Sequence, residues 1–114
     1  MRKITKEATI KFYHWICFHK WNTEVFHLPG RYVLCLHTNK IAELDVKWNV
    51  VSMYDWGHQT QTTKERINWI LEYKWLGHVY SQGGEWFYTD ETWKTRPFAW
   101  GISRGIPTGN IANF

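Results

Sequence analysis

The chain has little of what most small-protein chemistry requires. Its two cysteines, Cys17 and Cys35, lack C-x-x-C spacing. That argues against a disulfide framework and a cysteine zinc site and leaves two reduced, packed thiols. None of the six histidines pairs with another at the i, i+4 spacing of helical zinc ligands, so no metal and no cofactor is expected. The ten acidic residues are scattered one or two per element, whereas hydrolase or nuclease chemistry asks for carboxylates clustered with a base or a metal. Asp55 and His58 form the one close acid and histidine pair, and their loop position reads as a turn contact. There is no G-x-S-x-G, P-loop or dinucleotide fingerprint. No catalytic residue is therefore assigned, and enzymatic activity is not expected. No apolar run approaches the ~20 residues of a membrane helix, and no cleavage pattern follows the basic start Met1-Arg2-Lys3. The expectation is a protein that works in a cytoplasm, with no membrane partner.

What the chain has is aromatic surface and positive charge. Nine Trp, six Tyr and six Phe make up 18% of 114 residues, more than one small core is expected to bury. Tryptophan carries a polar N–H and is rarely sealed completely, so several indoles should reach the surface, where exposed rings make partner contacts. The net charge is +4. Lysine and arginine are interleaved with aromatics, the pattern with which bases stack on rings while cations follow phosphates. The cations nevertheless spread over the whole chain, with no basic stripe or RNP-type motif. Candidate nucleic-acid or partner contacts are Lys3, Lys6 and Lys11 on the first helix, Lys64, Arg66 and Trp69 on the second, and Trp21, Trp56, Trp93, Arg96 and Trp100. A solvated basic face and an aromatic-heavy core are the plainer readings of the same residues.

Periodicity predicts an α+β fold: an antiparallel sheet of four to six strands packed by two helices. Ile4, Ala8, Phe12, Trp15 and Ile16 recur at helical intervals, giving a first helix from Thr5 to about His19. Four strands follow, at 24–28, 31–37, 41–46 and 50–54, as an antiparallel meander. Their turns are Pro29-Gly30, a segment around Asn39 as the left-handed residue, and Lys47-Trp48-Asn49. The spacing Thr62-x-x-Glu65 predicts a capping box opening a second helix that runs from about Thr63 to Tyr73. A second hairpin, 79–82 with 85–89, turns on Gly83-Gly84 and either extends the first sheet or stands apart. Residues 1–90 form the α+β domain. Residues 91–114, with Pro97, Pro107 and scattered glycines, are expected as an irregular aromatic tail packed on the domain or on a partner.

Several stretches together carry a resemblance: Asn22-Thr23-Glu24-Val25, the order His37-x-Asn39-x-Ile41-Ala42, a Trp-Gly segment at 56–57, Thr62-Thr63-Lys64-Glu65-Arg66-Ile67-Asn68, and Gly84-Glu85-Trp86-Phe87-Tyr88. The chain resembles small bacteriophage and prophage proteins of unknown function over roughly residues 1–90. In those proteins a glycine usually follows the histidine and the Trp-Gly order is reversed; here Thr38 and Trp56-Gly57 stand instead. The resemblance implies a phage source and an accessory role in an infected bacterial cell, and supplies no catalytic residues. The function expected is that of a non-enzymatic phage accessory protein that binds and blocks a host macromolecule. Inhibition of a host-defence system of the CRISPR type is one form of it. The alternative is a basic, aromatic-rich protein that binds DNA or RNA. A homo-oligomer is compatible with either.

Overall fold

A computed structural model describes residues 3–56, 59–98 and 100–106. Two helices, α1 (Lys3–Tyr13) and α2 (Gln61–Tyr73), accompany nine strands. These are β1 (Phe18–Lys20), β2 (Thr23–Leu28), β3 (Arg31–Leu36), β4 (Asn39–Asp45), β5 (Val50–Tyr54), β6 (Gly77–Gln82), β7 (Glu85–Asp90), β8 (Thr95–Pro97) and β9 (Gly101–Gly105). The main sheet is antiparallel, in the order β1-β2-β3-β4-β5-β9, and β6-β7-β8 form a separate three-stranded sheet. The chain is α+β as the periodicity predicts, with the second hairpin standing apart from the first sheet.

Side chains alternate across a pleated strand, so register decides which residues enter the core. Val25, Leu34, Ala42 and Met53 lie side by side across β2 to β5 and are all buried. They meet Ala8 and Phe12 of α1 and Ile67, Ile70 and Leu71 of α2 in one cluster that also takes in Val79, Trp86 and Tyr88 of the small sheet. Full burial of a ring such as Phe12 contributes about 2–3 kcal/mol. The opposite face of the main sheet carries charged and hydroxyl side chains around the buried Val33 and Cys35. Arg31 and Lys40 both pair with Glu43, and the Ser52 and Ser103 hydroxyls lie 2.7 Å apart. The large apolar cluster lies on the other side.

Arg66 binds the helices to the sheet from inside. It is 2% exposed. Its guanidinium donates to Thr5 Oγ1 on α1, to Thr23 Oγ1 on β2 at 3.1 Å and to Glu65 Oε1 at 3.2 Å, and the Thr5 hydroxyl donates to the same carboxylate at 2.9 Å. A buried cation is tolerable only when paired and hydrogen-bonded in this way. Nearby, Tyr13 donates to Ile70 O at 2.6 Å, and burial pushes its phenol far above the usual range.

Several elements differ from the sequence reading, each for a local reason. The first helix stops at Tyr13, not near His19, because Trp15 turns left-handed (φ 61°) and Ile16 N–H returns to Lys11 O at 2.9 Å. That is the six-to-one bond of a Schellman cap. It frees Phe18–Lys20 to form edge strand β1. Helix α2 is capped by Thr60, whose Oγ1 accepts from Thr63 N–H at 3.2 Å, so Thr62-x-x-Glu65 is not the capping box. Glu65 is held by Arg66 and Thr5 instead. In the β3–β4 turn the left-handed residues are His37 and Thr38 (φ 52° and 65°), the two positive values of a type I′ turn, while Asn39 already belongs to β4. The stretch after Asp90 is not irregular. Thr95–Pro97 and Gly101–Gly105 are strands, and β9 extends the main sheet alongside β5. The expectation for 107–114 lies outside the described residues.

Asn68 closes the edge of the small sheet, donating to Val79 O at 2.8 Å and accepting from Val79 N–H at 2.6 Å, as a neighbouring strand would. At the start of β6, Gly77 has φ +125°, and a Cβ there would lie 2.1 Å from Thr89 O. Backbone on both sides of that contact leaves nothing to yield. Gly77→Ala should therefore destabilise the fold by about 2 kcal/mol or more, read as a lowered urea midpoint; an unchanged midpoint would contradict this packing.

Candidate functional site

Seven of the nine tryptophans are exposed: Trp15, Trp21, Trp48, Trp56, Trp75, Trp93 and Trp100. Trp86 is in the core, and Trp69 is half-buried on α2. Six of the exposed seven also have positive φ, between 53° and 69°: Trp15, Trp21, Trp56, Trp75, Trp93 and Trp100. Left-handed backbone costs an L-residue roughly 1–2 kcal/mol, and glycine escapes that cost.

The local structure shows why these positions are left-handed. Trp75 ends α2 as Trp15 ends α1: Leu76 N–H donates to Leu71 O at 2.9 Å and Trp75 N–H to Glu72 O at 3.2 Å. Both indoles thus occupy the residue after the helix cap, usually glycine. Trp93 ends a type I turn that opens on Asp90, donating to Asp90 O at 3.0 Å, and takes the place of the bulge glycine before β8. Asp90 Oδ1 accepts from Thr92 N–H and Oγ1 and from Lys94 N–H, and these bonds, the Thr92 hydroxyl foremost, hold its carboxyl below the usual carboxylate range. Trp21 stands at the first central position of the β1–β2 hairpin, where a type II′ turn takes glycine.

Five of the six lie in three places, while Trp15 stacks on Tyr32 with 6.4 Å between ring centres. Trp56 and Trp100 flank a recess of about 360 Å³ with Tyr54, on which Trp56 stacks at 5.3 Å. The Trp56 indole N–H donates to Lys40 O. Trp75 and Trp93 flank a groove of about 1070 Å³ with Tyr80 between them. Trp21 shares a recess with Lys3, Lys20 and Asn22, at whose base Arg66 lies.

The sequence-predicted contacts are thus divided. Lys3, Trp21 and Arg66 come together, although the burial of Arg66 and its pairing with Glu65 keep it out of direct reach of a phosphate chain. Trp56 and Trp100 come together, and Trp93 joins Trp75. Lys6 is exposed, and Lys11 half-buried, on α1. Lys64 is half-buried and donates to Ser81 at 3.1 Å, while Arg96 stacks over Tyr88 with 5.3 Å to the ring centre. Trp75, Tyr80 and Lys20 were missed as contacts. The signal for Trp75 was its place between the last helical residue and Leu76-Gly77, where a helix stop is due. The Asp55–His58 reading cannot be placed because His58 lies outside the described residues; Asp55 itself is buried and accepts from Gln59 at 2.8 Å. Among the described residues no three His, Cys, Asp or Glu side chains converge as a metal site would require, and no helix is long and apolar enough to cross a membrane.

A small α+β protein with indoles at its chain reversals is the class that this architecture defines. The chain belongs to the Kyanoviridae Gp96 protein family, a phage family whose model matches residues 1–105. The match runs beyond the stretch that carries the sequence resemblance and takes in β8 and β9. No curated protein and no solved structure matches the chain.

Two outcomes follow from this geometry. Trp75→Gly and Trp93→Gly should each stabilise the fold by about 1 kcal/mol, read from urea unfolding; equal or lower stability would mean that the indoles carry no backbone strain. The second outcome concerns acid. A carboxyl whose folded pKa is depressed contributes stability above its unfolded value near 3.9, and loses it as pH falls through the lower folded value. Wild type should therefore lose stability relative to Asp90→Asn as pH drops below about 4, and a constant difference between the two would contradict that assignment.

Proposed function

We propose that this protein is a non-enzymatic phage accessory protein that binds a host protein in the infected cell and acts by covering its surface. One observation carries this reading: six exposed indoles stand on left-handed backbone. An exposed tryptophan adds little to folding, and a left-handed one opposes it, yet tryptophan is among the residues that dominate protein interfaces. Retaining it at a turn or cap where glycine would be more stable is explained if the ring has work outside the fold. Covering a surface requires no catalytic group, which suits an antagonist of a host-defence effector.

A second reading, nucleic-acid binding, is favoured by the recess where Lys3 and Lys20 stand beside Trp21, itself 86% exposed. There a base could stack on the indole while the ammonium groups meet phosphate. One experiment separates the two. Tagged wild type and a variant with Trp21, Trp75, Trp93 and Trp100 replaced by glycine are used to capture partners from nuclease-treated and untreated lysate of a host bacterium. Capture of a defined protein that survives nuclease and is lost from the folded variant is expected. Capture that nuclease abolishes favours the second reading, and a protein bound equally by both forms counts against the first.

A further inference from the structure

The groove between Trp75 and Trp93 carries a charge opposite to that of the chain around it. Its floor is the outer face of the small sheet, where His78 and Tyr80 of β6 lie beside Thr89 of β7 and Thr95 of β8. Its walls are the end of α2 and the β7–β8 turn, each ending in an indole, 86% and 87% exposed. Three carboxylates line it, Glu72, Asp90 and Glu91, and among the described lining residues there is no lysine or arginine. All this occurs in a protein with fourteen basic side chains and a net charge of +4.

The carboxylates have different commitments. Asp90 is occupied by its own turn. Glu91 takes both its oxygens to Arg104 Nη2, at 2.6 and 2.8 Å. Glu72 is half-exposed, and its Oε2 lies 2.8 Å from His78 Nδ1. A carboxylate therefore lines the same groove as two indoles and Tyr80. That combination attracts a cation, and a planar guanidinium best, because it can stack on the ring and pair with the carboxylate together. At about 1070 Å³ the groove accommodates a stretch of several residues, well beyond a single ion.

We infer that this groove receives an arginine-bearing segment of the partner protein, with a guanidinium set against Trp75 or Trp93 and held by Glu72. The inference rests on the reading of the indoles as a protein-binding surface and names the chemistry of what they bind. It also separates this groove from the Lys3–Lys20–Trp21 recess, since carboxylates repel a phosphate chain.

The test uses the full chain labelled with ¹⁵N, whose indole N–H signals are assigned by the loss of one signal in each of Trp75→Gly, Trp93→Gly and Trp48→Gly. The probe is acetyl-Gly-Arg-Gly-Arg-Gly-amide, compared with the same peptide carrying neutral citrulline. The arginine peptide is expected to shift the Trp75 and Trp93 signals and leave Trp48 in place, to bind about tenfold more tightly than the citrulline peptide, and to weaken several-fold in Glu72→Gln. Equal shifts with both peptides, or none, overturn the inference. So do Trp75 and Trp93 shifts that follow protein concentration without peptide, since a second copy of the chain would then be the occupant. If the arginine peptide fails while capture of a host protein still depends on the indoles, the groove's assignment falls alone; if capture fails as well, the proposed function falls with it.

Discussion

An antiparallel sheet made of short strands has to reverse direction every few residues, and short helices have to stop abruptly, so the fold depends on residues that accept positive φ. Glycine normally meets that demand. Here Gly30, Gly83 and Gly84 do so in the β2–β3 and β6–β7 hairpins, with φ between 61° and 82°. At both helix ends and in two hairpins the demand is met by tryptophan. Six such sites at roughly 1–2 kcal/mol each approach the net stability of an ordinary domain. The interior has to offset that opposition, and it is built to do so. One apolar cluster runs through both helices and both sheets, and Arg66 draws α1, α2 and β2 together by hydrogen bonds that desolvation makes costly to break.

This division of labour sets where function can lie. The interior is employed in stability: Tyr88, for example, donates to Leu76 O and accepts from Arg104 at 2.7 Å, tying the small sheet to the α2–β6 connection and to β9. The periphery holds the strained and exposed groups. Because the indoles sit at chain reversals, they stand out at tips and rims, where they can enter a concavity on another molecule, rather than on the flat face of a sheet. The outer face of the main sheet, with its Arg31–Glu43–Lys40 pairs and paired serines, by contrast carries none of the exposed indoles on its strands.

Much of the fold was legible because strand alternation and helix periodicity are properties of apolar spacing, and spacing survives whatever the turns are made of. The β2–β5 meander, α2 and the Gly83-Gly84 hairpin were all read in this way. The errors fall where turn chemistry is disguised. Trp15 continues the apolar stripe of α1, so nothing in its type marks the cap that ends the helix two residues earlier. Trp93 and Trp100 made the last segment read as loose aromatic chain, when they stand at the bends that deliver β8 and β9. Arg66 read as a surface cation because its partners, Thr5 and Thr23, lie 61 and 43 residues away in the chain. Exposure of the indoles was readable from their number alone. Their grouping in three places was not, because it depends on how the ends of α2 and β7 meet in space.

The substitution of tryptophan for glycine also changes how the surface can bind. A glycine turn has no side chain to offer, whereas a tryptophan on left-handed backbone roots an indole at the reversal itself. The backbone at Trp75 is fixed by two hydrogen bonds of the α2 cap, and that at Trp93 by its bond to Asp90 together with the Asp90 side-chain bonds around it. The backbone beneath such rings is already ordered when a partner arrives, so only the side chain remains to be ordered on binding. Backbone strain and binding are then two consequences of one placement: the geometry that makes each indole unfavourable in the free protein is what aims it at another molecule.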